Sequence, residues 1–99
     1  MNQQAMMRLK KMQKQMMEAQ EKLEQTVYSG TAGGGMVCVR MKGNHEMVSV
    51  TIDPDAIESK EDIELLQDTI VAAVNDATKK IEEESQKALG AFGGGFGLF

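Results

Sequence analysis

Residues 26–54 read TVYSGTAGGGMVCVRMKGNHEMVSVTIDP and set the architecture of the chain. They contain three runs rich in residues that favour strands, at 26–32, 37–42 and 48–52. Apolar and polar side chains alternate in the second and third runs, which is the period of a strand with one buried face. The residues predict two or three antiparallel strands that follow one another as a meander.

Short glycine-containing breaks separate these runs. Gly33-Gly34-Gly35 interrupts any helix and predicts a strand connection with unusual backbone angles. A phosphate-binding loop does not fit, because the triplet lacks a following Lys-Ser/Thr pair and leads into a strand. Gly43-Asn44-His45-Glu46 predicts a hairpin turn, and Asp53-Pro54-Asp55 ends the last strand.

A long helix is predicted before the strands, over residues 2–25. This stretch is rich in Met, Gln, Lys and Glu, which are good helix formers. Apolar and small side chains recur in it at alternating spacings of four and three, a heptad pattern that favours pairing with another helix. We call these positions the seam: Ala5, Leu9, Met12, Met16, Ala19, Leu23 and Thr26.

A second helix is predicted after the strands, ending at about Leu89. Ser59 followed by Asp62 resembles a capping box, in which a hydroxyl and an acid satisfy free amides at a helix start. Gly90 predicts the end of this helix. One apolar stripe runs along it, formed by Ile63, Leu66, Ile70, Ala73, Val74, Ala77 and Ile81.

The predicted fold is therefore α+β, in the order α-β-β-β-α, with a small antiparallel sheet flanked by two long helices. Such a sheet is too small to cover the apolar stripes of both helices. A chain of 99 residues also buries only a modest fraction of its surface. We expect association with a second copy of the chain to cover the apolar surface that the sheet leaves exposed.

Charge is distributed unevenly along the chain. The protein has a net charge of −4, yet residues 1–17 contain no acid. A helix dipole favours acids in the first turns and bases in the last, so bases at the start of a helix oppose local stability. They suit an anionic partner, although an ordinary solvated helix face is the alternative. The bases form what we call the basic cluster: Arg8, Lys10, Lys11 and Lys14.

The basic cluster is separated from both the seam and the acids. Lys10, Lys11 and Lys14 lie on the outer face of the helix, while Arg8 flanks the seam. Lys11 and Glu21 are ten residues apart, which is about 15 Å along a helix. The Debye length at physiological salt is about 8 Å, so attraction of phosphate to the cluster can survive an acidic total charge.

Composition limits the other possibilities. The single cysteine, Cys38, excludes an intrachain disulfide and suits a reducing compartment. No apolar run approaches a membrane span, and the first residues do not resemble a signal peptide, so a cytoplasmic protein without membrane contact is expected. The single histidine, His45, lies in a predicted turn without a second metal ligand. We expect that the protein is not an enzyme and that it binds no cofactor, metal or small-molecule substrate.

The last ten residues and the methionines of the first helix allow a second hypothesis. Residues 90–99 read GAFGGGFGLF and predict a flexible tail after a single domain, 1–89. Six of the nine methionines lie in residues 1–17 and give an adaptable apolar surface. The alternative function is a protein-interaction module that uses this helix and the tail.

Several blocks together resemble one family. They are YSGTAGGGMV at 28–37, GN at 43–44, VSVTIDP at 48–54 and IVAAVNDA at 70–77, with a Met/Gln/Lys-rich helix before them and a Gly/Phe-rich end. In order and spacing over essentially the whole chain, they resemble the bacterial YbaB/EbfC family of nucleoid-associated proteins.

The resemblance implies a function that composition alone does not. It implies a small cytoplasmic homodimer with a tweezer-like outline that binds DNA and associates with the nucleoid. The family has no catalytic residues to transfer. Its DNA contacts are attributed to basic residues of the protruding helices, and these match Arg8, Lys10, Lys11 and Lys14 in this chain.

Overall fold

The computed structural model has a three-stranded antiparallel sheet, which one long helix precedes in the chain and a second long helix follows. The structure describes residues 2–93. The predicted α+β fold and its element order are confirmed. The elements are α1 (Gln3–Gln25), β1 (Val27–Ala32), β2 (Val37–Lys42), β3 (Met47–Ile52), a 3₁₀ turn (Pro54–Ala56) and α2 (Asp62–Gly93).

The core lies between one face of the sheet and the middle of α2. The strand order is β1-β2-β3, and Val37, Val39 and Met41 of the central strand point to the helix side, where they are buried. Opposite them, α2 contributes Ala73, Ala77 and Ile81. The alternation predicted for residues 37–42 is therefore confirmed. The other face of β2 carries Cys38, Arg40 and Lys42, as expected for an antiparallel sheet with one solvated face.

A glycine allows α2 to lie directly on β1. A Cβ atom at Gly30 would overlap the carbonyl oxygen of Ala73 and the backbone nitrogen of Ala77. With no side chain at this position, the helix backbone and the strand backbone come into contact. Ala73 and Ala77 are themselves fully buried, because their small side chains fit this close approach.

Both connections between strands are hairpins, as predicted. Gly33, Gly34 and Gly35 have φ values of 65°, 67° and 93°, which confirms the unusual backbone of the triplet. In the second hairpin His45 has φ 71° and is exposed, so it is a solvated turn residue.

The two helices agree with prediction except at the ends of α2. The side chain of Asn2 accepts a hydrogen bond from the Ala5 N–H and caps α1. At the start of α2, the carboxylate of Asp62 accepts from the N–H groups of Glu58 and Ser59, which is the acid half of the predicted box.

The prediction that Gly90 ends α2 is wrong, because the helix continues to Gly93. Gly inside a helix costs only about 1 kcal/mol relative to Ala, and helix formers flank it here. The predicted flexible tail, 90–99, thus begins inside a helix, and its last six residues lie outside the described part.

The two edges of the sheet differ. On β1, the Thr31 N–H donates to the Asp76 carboxylate at 2.9 Å, and Lys80 Nζ donates to the Ser29 carbonyl at 2.7 Å. The bond from Thr31, aided by the nearby Lys80, holds the pKa of Asp76 below its ordinary value. On β3, the only strand neighbour within residues 2–93 is β2. Side chains of α2 thus cap one edge, while β3 forms the other.

Candidate nucleic-acid interface

α1 is anchored at its C-terminal end. The Gly43 N–H donates to the Thr26 carbonyl and the Asn44 N–H to the Glu24 carbonyl, so the β2–β3 hairpin holds the end of the helix. A Cβ at Gly43 would overlap the Leu23 carbonyl, which shows how closely the two backbones approach. The rest of the helix extends away from this junction in a molecule 70 Å long and 22 by 15 Å across.

Within residues 2–93, the C-terminal half of the seam packs against another helix and the N-terminal half remains exposed. Met16 and Ala19 line a small cavity together with Ala88 and Leu89, so this part of α1 packs on the last turns of α2. Leu9 and Met12, farther along the seam, remain 46% and 40% exposed. The predicted helix pairing is thus present within the chain for one half of the seam. We call residues 3–15 the distal half of α1.

All members of the basic cluster lie in the distal half and are exposed. At about 100° per residue, Lys14 is roughly opposite the middle of the seam, and Lys10 and Lys11 lie on either side of Lys14. Arg8 is closer to the seam, as the sequence predicts. Within residues 2–93 the ion pairs are Lys42–Glu46, Lys80–Asp76 and Lys87–Glu84, and none of them includes the basic cluster. All four charges therefore face solvent, the three lysines on one face of the helix and Arg8 nearer the seam.

Helix polarity strengthens the positive potential of this region. The free N–H groups of the first turn carry the positive end of the helix dipole, and the first turn contains no acid. The nearest acid along α1 is Glu18, one turn beyond Lys14. The arrangement can attract and hold phosphate oxygens through charge-assisted hydrogen bonds.

Elsewhere in residues 2–93, the cleft beside α1 is acidic and the single cysteine is half-buried. The cleft is lined by Glu24, His45 and Glu82, whose two acids would repel phosphate. Residues 2–93 contain no group of three or more His, Cys, Asp or Glu side chains placed to hold a metal ion. Cys38 is half-buried in β2. No helix in this range has both the length and the apolar content to cross a membrane.

Two exposed apolar features were not predicted from the sequence. Met7 lies among the cations of the basic cluster and is 69% exposed. Met47, Val48 and Val50, which we call the β3 patch, are also exposed. Composition could not reveal either, because both depend on which side chains the other elements leave uncovered.

The chain is similar in sequence to a described protein family and to named relatives. Residues 1–96 match the YbaB/EbfC DNA-binding family. A nucleoid-associated protein of Legionella pneumophila is 47% identical over 88 residues, which cover 89% of this chain and 77% of the relative. A nucleoid-associated protein of Chloroflexus aurantiacus is 41% identical over the whole length of both chains.

A solved structure has the same fold. The crystal structure of an uncharacterized protein from Helicobacter pylori superimposes with a TM-score of 0.72 at 31% identity, covering 93% of this chain and 97% of the other. A match over nearly the full length, together with relatives above 40% identity, is sufficient to assign the family. The chain belongs to the YbaB/EbfC DNA-binding family.

Proposed function

We propose that residues 1–89 form a single DNA-binding and dimerisation domain that grips double-stranded DNA as a homodimer. The observation that carries this proposal is the exposed, acid-free basic cluster on the distal half of α1. The protein would act with the nucleoid, as the names of its relatives indicate, in nucleoid organisation and gene expression. DNA contacts come from Arg8, Lys10, Lys11 and Lys14.

Weak to moderate sequence preference follows from the chemistry of these contacts. Cations on phosphates fix the position of a protein on DNA but carry no sequence information. Two protomers bring eight such cations, so the slope of log affinity against log salt would reach at most about −7. The net charge of −4 does not prevent this, because salt screens the acids beyond Glu18 from the cluster.

The test is a variant with Arg8, Lys10, Lys11 and Lys14 all replaced by Gln, titrated with DNA at several salt concentrations. We expect a large loss of affinity and a much shallower salt slope, with an unchanged oligomeric state. The matched control replaces the exposed Arg40, Lys60, Lys79 and Lys87 by Gln, which removes the same charge from outside α1. If both variants bind like the parent protein, or if both lose binding equally, the cluster is not the site.

Homodimerisation is supported by the β3 patch. Val50 pairs with Val39 in the sheet register, yet Val39 is fully buried under α2 and Val50 is 47% exposed. The helix covers β1 and β2 and leaves the apolar face of β3 open. A second copy would bury this face, and the strand has no charged side chain that would repel its own symmetry mate. Two basic clusters would then act on one duplex.

The exposed methionines of α1 support the alternative function, a protein-interaction module. Met6, Met7 and Met17 are all exposed, and Met side chains adapt to varied apolar partners. Salt separates the two functions. Phosphate binding should collapse near about 0.5 M salt, whereas an apolar complex should persist. The proposed contribution of the tail falls mainly on residues outside the described part.

A further inference from the structure

Met7 is the most exposed large apolar side chain in the described part of the chain, at 69%. It lies in the distal half of α1, where no other described element packs against it. A single exposed apolar residue needs no explanation by itself. Its surroundings give it significance, because its neighbours one turn away on the helix surface are glutamines and lysines. The apolar Met6 lies beside it in the same shallow pocket.

Three lysines follow Met7 on the same side of α1, in the direction of its C-terminal end. Lys10 and Lys11 lie one turn farther along, about 60° to one side of Met7 and about 40° to the other. Lys14 lies two turns along, about 10 Å away and nearly in line with Met7. Met7 therefore lies at the N-terminal end of the face that the lysines define, close to the midline of that face. When these lysines hold phosphates, Met7 must face the DNA.

The spacing on this face matches a groove better than a single DNA strand. A helix is about 10–12 Å across, and the major groove, at about 12 Å wide, admits it. Lysines on either side of the helix can then reach the two phosphate walls. A side chain between them points to the groove floor, where thymine presents its C5 methyl group, an apolar contact.

We propose that Met7 enters the major groove and contacts thymine methyl groups while the flanking lysines hold the phosphates on either side. The proposal rests on the proposed function and adds to it a direct contact with bases. It accounts for a moderate preference for sites that contain thymine without requiring any hydrogen bond to a base. The predicted sequence preference then comes from one apolar side chain in each protomer.

Met17 provides a matched comparison on the same helix. It is 66% exposed, almost as much as Met7. Its neighbours toward the C-terminal end include Glu18 and Glu21, whose carboxylates repel phosphate. An exposed methionine in this setting would stay out of a DNA contact. The two methionines therefore share residue type, helix and exposure. Met17 also has Lys14 one turn before it, but only Met17 has acids beside it.

The experiment measures affinity for two duplexes of the same sequence, one with thymine and one with deoxyuridine in its place, which removes only the methyl groups. The parent protein should bind the deoxyuridine duplex more weakly, by about fourfold for each methyl contacted. Met7→Gln should lose a similar factor on the thymine duplex and no longer distinguish the two. Its salt slope should equal that of the parent, because the phosphate contacts remain.

Control variants make the result specific. Met17→Gln should bind and discriminate like the parent, and Met7→Leu, which keeps an apolar side chain, should retain the discrimination. The proposal is overturned if Met7→Gln still distinguishes the duplexes by the parent's factor, or if Met17→Gln loses as much as Met7→Gln. An unchanged affinity of the four-Gln variant of the basic cluster would instead overturn the proposed function, and the groove contact with it.

Discussion

Gly30 is the residue on which the contact between β1 and α2 depends. Any Cβ at this position would overlap backbone atoms of Ala73 and Ala77, and backbone cannot move aside as a flexible side chain can. We expect Gly30→Ala to lower the free energy of unfolding by about 3 kcal/mol, the upper part of the range for overpacking. Urea denaturation monitored by circular dichroism measures this loss.

Gly34 separates overpacking from the general effect of replacing a glycine. A Cβ at Gly34 meets nothing within 4 Å, but the residue has φ 67°. Gly34→Ala should therefore cost only the strain of the left-handed region, about 1 kcal/mol. Equal losses for the two variants would show that the close approach of α2 to β1 contributes nothing particular.

Asp76 makes the stability of the folded protein depend on pH in the acid range. Its pKa is lowered in the folded protein, first by the hydrogen bond from the Thr31 N–H and then by Lys80. A lowered folded pKa means that the contribution is present above the unfolded pKa, about 4, and is lost as pH falls through the folded value. Asp76→Asn should flatten the fall in stability below about pH 4, as measured by urea denaturation across pH 3–6.

The control for this pH dependence is Asp68→Asn, at an exposed position of the same helix. It removes one carboxylate without touching the β1 edge. We expect the stability of the Asp68 variant to fall at acid pH in the same way as that of the parent protein. If the stability of the Asp76 variant falls at acid pH as steeply as that of the parent, the bond from Thr31 does not favour the charged carboxylate.

At the scale of elements, the two halves of α1 have different roles. Leu23 lies where the helix meets α2 and the β2–β3 hairpin, whereas Leu9 projects with the basic cluster. Leu23→Ala should therefore cost about 2 kcal/mol, and Leu9→Ala less than about 0.5 kcal/mol. Thermal or urea unfolding measures both. A larger loss for Leu9 would show that the distal half is packed against a second copy.

Local patterns were sufficient to predict the strands and α1. The alternation in residues 37–42 and the glycine triplet act over a few residues, and the structure has both as expected. Coverage by other elements could not be predicted. Val39 and Val50 carry the same signal, yet only Val39 lies under α2, because the helix crosses two strands of three. The predicted end of α2 is wrong because one glycine only weakly favours the end of a helix.

The candidate site shows the same division. Its cations could be predicted from the absence of acids in residues 1–17, a property of composition. The sequence alone does not distinguish Met7 from the other methionines of α1, because six of the nine methionines lie in residues 1–17. The distinction between Met7 and Met17 requires knowing that both are exposed and which charges neighbour each.

At the scale of the whole molecule, the proposed DNA-binding surface and the proposed dimer interface are separate. The basic cluster lies on the distal half of α1, and the β3 patch lies on the sheet at the other side of the α1 anchor. We therefore expect the two to be separable by mutation. A monomer would retain four cations instead of eight, and the maximal salt slope would fall from about −7 to about −3.6.

One substitution on the β3 patch tests this separation. Val50→Lys places a charge on the apolar face that α2 leaves open, so it should abolish the dimer while the monomer stays folded. Analytical ultracentrifugation measures the mass, and circular dichroism the fold. Thr51→Lys, in the same strand but on the opposite face, adds the same charge and should leave the dimer intact. If Val50→Lys remains dimeric, the interface lies elsewhere, with the exposed half of the seam on α1 as the next surface to vary.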